Sequence, residues 1–183
     1  MKKMLALAAA VVIASSAVVA APKSANETEQ SYQQVSKQVR HELLTLPYFG
    51  VFDNLAYKVE GSTVTLYGQV VRPSTRKDAE RRVAKIKGVE RVVNQIEVLP
   101  LSNFDDSIRI STYRALARTG GLYRYLMGAN PSVRIIVNRG HLTLEGVVAN
   151  SGDRNLANIV ANSVPGVFSV TNHLRTDKDA EAY

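Results

Sequence analysis

Few side chains in this sequence are spaced as a reactive site. The histidines are His41, His141 and His173; they share no metal-ligand spacing, and no cysteine can join them. Asp105 and Asp106 are adjacent carboxylates, but they fall where a helix should begin, and acidic residues favour that end of the helix dipole. The nucleophile-elbow, phosphate-loop and zinc-protease motifs are missing from the sequence. We therefore expect no enzyme, no metal site and no cofactor.

Basic residues are the side chains best suited to bind a partner. Six cations are gathered on one predicted helix, with Asp78 and Glu80 among them: Arg76, Lys77, Arg81, Arg82, Lys85 and Lys87. Such a cluster would contact anionic phospholipid head groups. A solvated helix face produces the same charge run, and both interpretations stay open. Nucleic acid would also suit the net charge of +7, but the export signal described below argues against it.

A second candidate for membrane contact is the segment Gly121–Met127. Here Tyr123 and Tyr125 flank Arg124, and aromatic residues interleaved with arginine suit a membrane interface. The first half of the chain has a comparable apolar stretch at Leu43–Phe49. That correspondence favours a packing role shared by both halves, so we rank packing above membrane contact.

The first twenty residues have the pattern of a secretory signal peptide. Lys2 and Lys3 precede an apolar run from Met4 to Val19, and the small residue Ala20 follows. We expect cleavage after Ala20; the alternative is a retained membrane anchor, since the run is nearly long enough to span a bilayer. Without cysteine the chain has neither disulfides nor a lipid attachment point. The expected location is periplasmic or secreted.

An internal repeat defines the domain organisation. Residues 55–98 align without gaps to residues 133–176 at a constant offset of 78, which pairs Gly68 with Gly146 and Gly88 with Gly166. Two tandem modules are therefore predicted, at residues 31–99 and 105–176, followed by a tail at 177–183. The linker Pro100–Asn103 is short, so the modules should be close neighbours.

Each module is predicted to contain a helix, two strands, a second helix and a third strand. Alternating apolar residues indicate the strands, and apolar residues spaced by three or four indicate the helices; Ile110, Tyr113 and Ala117 would line the first helix of the second module. The predicted fold class is α+β, with two tandem αββαβ modules, each a three-stranded mixed sheet carrying both helices on one face. The strand order stays open.

Two pairs of residues in the strands have predicted structural roles. Gly68 and Gly146 are in phase with buried residues, which predicts a helix packed closely against each missing side chain. Asn94 and Asn172 are also in the apolar phase, and we expect their amides to bond a nearby loop backbone. Gly88 and Gly166 should close the second helix of each module; the structural glycines are therefore Gly68, Gly88, Gly146 and Gly166.

These residues resemble the BON domain of bacterial envelope proteins. The resemblance rests on Val59–Val70 followed by Gly88–Ile96, and on residues 139–148 followed by Gly166–Leu174; the second copy has Arg139 where the first has Gly61. Paired modules behind a signal peptide are similar to osmotically inducible periplasmic proteins and dual-BON outer-membrane lipoproteins. The resemblance implies phospholipid or envelope binding, a connection with envelope stress or integrity, and no catalytic residue.

The expected partner is therefore an anionic phospholipid surface or an envelope protein. A protein-binding or chaperone-like module is the alternative, and it would use exposed apolar surface or an open sheet edge instead of basic side chains. Salt-dependent lipid binding would distinguish the two functions. The oligomeric state does not follow from the sequence.

Overall fold

The computed structural model describes residues 25–177. The predicted signal peptide, residues 1–20, lies outside the described residues, as does the tail from residue 178 onward. Among the described residues, none of the helices has both the length and the apolar character needed to cross a membrane.

The first module has the predicted element order. Helix α1 (Ala25–Leu44) precedes strands β1 (Asn54–Glu60) and β2 (Thr63–Val70), which are followed by helix α2 (Pro73–Val83) and strand β3 (Arg91–Val98). The two-residue turn Gly61–Ser62 makes β1 and β2 antiparallel, whereas the helical crossover returns β3 parallel to β2. The strand order is β1-β2-β3, so β1 and β3 are the sheet edges.

The second module repeats this architecture. It comprises helix α3 (Asn103–Arg118), a short 3-10 helix (Leu122–Tyr125), strands β4 (Val133–Asn138) and β5 (His141–Val148), helix α4 (Ser151–Asn162) and strand β6 (Ser169–Thr176). Strands β4 and β5 are antiparallel, β5 and β6 are parallel, and the order is β4-β5-β6. The predicted α+β fold, with two tandem modules that each carry a mixed three-stranded sheet, is confirmed.

Each module has its own apolar core between sheet and helices. In the first module the core unites α1 and α2 with the inner face of the sheet and includes Val39, Leu66, Val70, Ala79, Val83 and Ile96. In the second module it includes Ile108, Leu116, Ile135, Leu144, Ala161 and Leu174. The second core also receives two residues from the first module, Val51 and Phe52.

The first helices of the two modules do not share the offset of 78 that relates the strands. Nine residues, 45–53, connect α1 to β1, whereas fourteen residues, 119–132, connect α3 to β4. The buried positions Val35, Val39 and Leu43 of α1 correspond to Ile108, Thr112 and Leu116 of α3 at an offset of 73. A side chain added at Gly88 would meet Val35, and one added at the equivalent Gly166 would meet Phe104 and, slightly farther away, Ile108.

For this reason the predicted inner face of α3 is wrong at Ile110, whereas Tyr113 and Ala117 are half-buried against the core. The buried residues are Ile108, Thr112 and Leu116, whereas Ile110 is 43% exposed. Tyr113 is partly buried against the core of the second module, alongside Phe52 of the first. Helix α3 thus carries two apolar stripes, and the one visible in the sequence faces the neighbouring module.

The two strand glycines are constrained by a neighbouring strand and not, as predicted, by a helix. Gly68 has φ +114° and Gly146 has φ +123°, a region that L side chains rarely adopt. A Cβ atom at Gly68 would overlap the carbonyl oxygen of Asn54, and one at Gly146 would overlap that of Ser132. The backbone at the start of the adjacent strand therefore requires glycine.

The two strand asparagines connect sheet to helix. The side-chain nitrogen of Asn94 donates to the carbonyl of Arg76 at 3.1 Å, and that of Asn172 donates to the carbonyl of Arg154 at 3.1 Å. These acceptors belong to the first turn of the second helix, whereas a loop was predicted. Each amide oxygen accepts a backbone N–H two residues later, so both halves of the amide are used.

Candidate functional site

The basic cluster predicted from the sequence forms one exposed face on the first module. Helix α2 buries Thr75, Ala79 and Val83 and ends at Val83, so the last two cations lie in the turn that follows. We call the basic face the exposed set Arg76, Lys77, Arg81, Lys85 and Lys87.

Ion pairs neutralise only part of this cluster. Arg81 contacts Asp78 at 2.6 Å, and the half-buried Arg82 contacts Glu42 of α1 at 3.3 Å. Arg82 therefore contributes to the packing of α2 on α1. Within the described residues, Lys77, Lys85 and Lys87 form no salt bridge, so their charges face solvent.

The second module shows that this charge is not needed for the fold. Helix α4 occupies the position of α2 but has Arg154 as its one cation, and it exposes Ile159 where α2 is polar. Both helices pack on equivalent sheets through equivalent alanines, Ala79 and Ala157. The packing of this helix on its sheet therefore does not require the basic face.

In the aromatic segment predicted for membrane contact, one side chain is exposed and two form hydrogen bonds within the protein. Tyr123 is 53% exposed, whereas Tyr125 is buried. The hydroxyl of Tyr125 accepts the backbone N–H of Ala149 at 3.0 Å and donates to Asp153 at 2.5 Å. Arg124 donates to the same carboxylate, and the hydrogen bond from Tyr125, aided by Arg124, lowers the pKa of Asp153. Tyr125 and Arg124 thus connect the 3-10 helix to α4.

The modules meet through a loop of the first module, residues 47–53, which we call the docking loop. The backbone N–H of Ile135 on β4 donates to the carbonyl of Val51 at 2.8 Å, so a turn of the loop lies against the edge of the second sheet. Arg134 donates to the carbonyl of Gly50 at 2.8 Å, and its guanidinium lies 4.5 Å from the ring centroid of Phe49. Sequence reasoning missed this contact; its signal was the aromatic-rich segment Tyr48–Asp53 between a helix and a strand.

Asp53 holds the docking loop in shape. Its buried carboxylate accepts the backbone N–H of Gly50 at 3.0 Å and that of Val71 at 2.8 Å. Burial raises the pKa of Asp53, while these two hydrogen bonds and the charge of Arg134 oppose the rise. The carboxylate therefore joins the loop to the end of β2 on one side and faces the second module on the other.

The three histidines do not come together in one site. His141 lies 2.7 Å from the hydroxyl of Ser169 and His173 lies 2.7 Å from Glu145, whereas His41 is exposed on α1. The carboxylate of Asp105 is buried and accepts the backbone N–H groups of the β4–β5 turn. No group of three His, Cys, Asp or Glu side chains within residues 25–177 is arranged to hold a metal ion.

The fold defines a class of proteins built from small tandem α+β modules. A model of the BON domain matches residues 32–100 and again residues 105–178. The chain therefore belongs to the BON-domain family, and the predicted tandem arrangement is confirmed. Proteins with this domain are associated with the bacterial cell envelope and are generally non-catalytic.

Seven chains among the solved structures match this one, and two of them are structures of the same protein. One is the C-terminal domain of CdsD, a structural protein of the type III secretion system of Chlamydia trachomatis, with 10% identity and a TM-score of 0.31. It covers 78% of this chain and 64% of that chain, so this chain spans less than two thirds of its length. A second CdsD structure has 10% identity and a TM-score of 0.29, and covers 81% of this chain and 96% of that one. No curated protein matches the sequence.

Proposed function

We propose that this protein is a non-catalytic envelope protein that binds anionic phospholipid surfaces through the basic face. The observation that carries the proposal is the contrast between α2 and α4. One of two equivalent helices carries a group of exposed cations of which only Arg81 has an acidic partner within the described residues, and the other helix has no such group. Exposed lysines and arginines contribute about 1 kcal/mol each near an anionic leaflet, and the attraction fades within a Debye length.

Delivery to the envelope is part of the same proposal. Residues 1–20 have the charge, apolar run and small-residue exit of a signal peptide, and family membership agrees with an envelope location. The mature chain would then begin at Ala21 and be periplasmic or secreted. Mass spectrometry of the envelope fraction tests this, and a mature chain that still begins at Met1 would contradict it.

Charge reversal on the basic face tests lipid binding. The variant Lys77→Glu, Lys85→Glu and Lys87→Glu changes three exposed side chains that form no salt bridge within the described residues. The matched control is Lys37→Glu, Arg118→Glu and Arg175→Glu, which changes the net charge equally at exposed positions on other elements. Both variants should unfold at the parent's temperature, since none of these side chains is buried.

Co-sedimentation with vesicles measures the lipid binding of the parent and of both variants. We expect the parent to bind vesicles of phosphatidylglycerol and phosphatidylcholine, to bind pure phosphatidylcholine weakly, and to dissociate as salt rises. The lysine variant should bind at least tenfold more weakly, while the control keeps most of its affinity. Equal binding to both vesicles, binding to neither, or equal losses in both variants would contradict the proposal.

A further inference from the structure

The second module has a cleft whose strand edge is already occupied by a turn of this chain, beside which a cavity of about 620 Å³ remains. The cleft lies between helix α3 and the edge strand β4. Val51 and Phe52 of the docking loop pack in it, with the ring of Phe52 6.4 Å from that of Tyr113 in an edge-to-face arrangement. The N–H of Ile135 supplies the backbone hydrogen bond to Val51. Val51 and Phe52 are the central residues of a turn closed by the hydrogen bond from the N–H of Asp53 to the carbonyl of Gly50, so a turn is bound at the sheet edge with an aromatic side chain placed against the helix.

The first module has the same cleft, and there it is open. A groove of about 340 Å³ lies between α1 and β1, lined by Arg40, Leu43, Leu44, Phe49, Leu55 and Tyr57. By the helix offset of 73, Arg40 and Leu44 correspond to Tyr113 and Ala117 of α3. By the strand offset of 78, Tyr57 corresponds to Ile135. The groove is therefore the counterpart of the cleft that the docking loop occupies.

The backbone at this groove offers the N–H of Tyr57, while the carbonyl of Tyr57 already accepts the hydroxyl of Tyr67 at 3.3 Å. Strand β1 is a sheet edge, and its register with β2 closes at Glu60 and Thr63 around a two-residue turn. Antiparallel pairing alternates along a strand, so the N–H of Tyr57 points away from β2, as that of Ile135 points away from β5. Among the described residues, the N–H of Tyr57 has no backbone acceptor outside its own sheet.

Differences between the two clefts indicate which ligand the open cleft of the first module would bind. Ala56 is equivalent to Arg134, which donates a hydrogen bond to the docking loop in the second module. The groove of the first module is therefore not covered by a guanidinium on the side of the sheet. Arg40 stands where Tyr113 meets Phe52, and a guanidinium also packs well on an aromatic ring. The hydroxyl of Tyr57 bonds Ser36 at 3.0 Å, which closes the inner end of the groove and leaves the Arg40 end open.

We propose that this groove binds a polypeptide turn that carries an aromatic residue. The turn would lie against β1, accept the N–H of Tyr57 with one of its carbonyls, and place its aromatic ring between Arg40 and Leu44. The docking loop itself supplies the template, because its aromatic, glycine and valine residues already lie in the equivalent cleft. This inference does not rest on lipid binding, since the groove and the basic face share no residue.

A peptide with the sequence of residues 48–54, YFGVFDN, is the probe. Added to the isotope-labelled full chain, it should shift the amide resonance of Tyr57 saturably and leave that of Ile135 unchanged, because the chain's own docking loop occupies β4. A peptide with both phenylalanines replaced by serine should not bind. Shifts at Ile135 and not at Tyr57, or no saturable shift, would overturn the proposal.

Two variants and one matched control locate the site. Leu44→Lys places a charge in the half-buried lining, and Arg40→Glu changes an exposed side chain that cannot impair folding. Each should weaken peptide binding at least tenfold. The control Leu101→Lys makes the same chemical change at a residue that is 94% exposed and should have no effect. Unchanged affinity in both groove variants, or a dimer of the free protein that Leu44→Lys abolishes, would also overturn the proposal, the latter by identifying a second copy as the occupant.

Discussion

Replacing Gly146 with alanine would test whether the neighbouring strand dictates this residue. The substitution adds a single Cβ atom, which would overlap the carbonyl oxygen of Ser132. That carbonyl cannot turn aside freely, because it accepts the backbone N–H of Val147 at 3.0 Å. The strain must then be relieved by moving the start of β4, the strand on which the docking loop rests.

Two penalties contribute to the expected loss of stability. An L residue held at φ +123° costs about 1–3 kcal/mol. Overpacking against backbone costs about another 1–3 kcal/mol. We therefore expect Gly146→Ala to lower the free energy of unfolding by about 2–6 kcal/mol, a large share of the roughly 5–15 kcal/mol available to a native protein. Gly68→Ala should behave alike, because a Cβ atom there overlaps Asn54.

Gly128→Ala separates the two penalties. Gly128 has φ +88°, but no atom lies within 4 Å of a Cβ placed there, so this variant should lose about 1–2 kcal/mol from backbone conformation alone. Urea unfolding followed by circular dichroism measures all three variants. If Gly146→Ala is no less stable than Gly128→Ala, the close approach of the strands is not what requires glycine.

Three further variants examine the junction and the 3-10 helix. Phe52→Ala should lower the free energy of unfolding in urea by about 1–2 kcal/mol, which is less than the full cost for a buried phenylalanine because this ring is half-buried. The control Tyr48→Ala should be nearly neutral, since Tyr48 is 70% exposed. Equal effects of the two substitutions would mean that Phe52 does not anchor the loop. Tyr125→Phe should cost about 1–3 kcal/mol in the same assay, since the N–H of Ala149 loses its acceptor; an unchanged midpoint would contradict this. The pKa of Asp153 is lowered in the folded protein, so its stabilising effect is complete above the unfolded value and is lost as pH falls through the folded one. Asp153→Asn should therefore melt below the parent at pH 7, with a difference that shrinks below about pH 3.8; a difference that grows on acidification would reverse the sign of the proposed linkage.

The strands were predictable because their signals are local, whereas the module contacts were not. Alternation and a constant offset of 78 placed every strand and both strand glycines, since the side-chain period of a strand is independent of its partner. The apolar stripe on α3 that contains Ile110 and Tyr113 was assigned to the wrong face at Ile110. These two side chains lie against the docking loop of the neighbouring module. Periodicity identifies an apolar face but does not say which surface covers it.

The candidate site was predicted in the same uneven way. The cations on α2 are visible in the sequence as a run of basic residues. The structure shows that Arg82 is half-buried and in an ion pair, so it does not belong to the solvent-exposed cations. Tyr125 was grouped with Tyr123 by adjacency, but the turn of a 3-10 helix directs one side chain to the core and the other to solvent. The open groove beside β1 had no sequence signal, because it exists only by comparison with an occupied counterpart.

The order of the two modules along the chain bears on how the protein is made. A ribosome or an export channel releases the first module before the second, and domains generally fold as they emerge. The docking loop is therefore in place before β4 has been synthesised, and this edge strand is covered as soon as it forms. An uncovered edge strand invites pairing with other chains. With the modules in the reverse order, the edge of β4 would stay exposed until the docking loop had been made. Release from the N-terminus therefore favours the order of modules that this chain has.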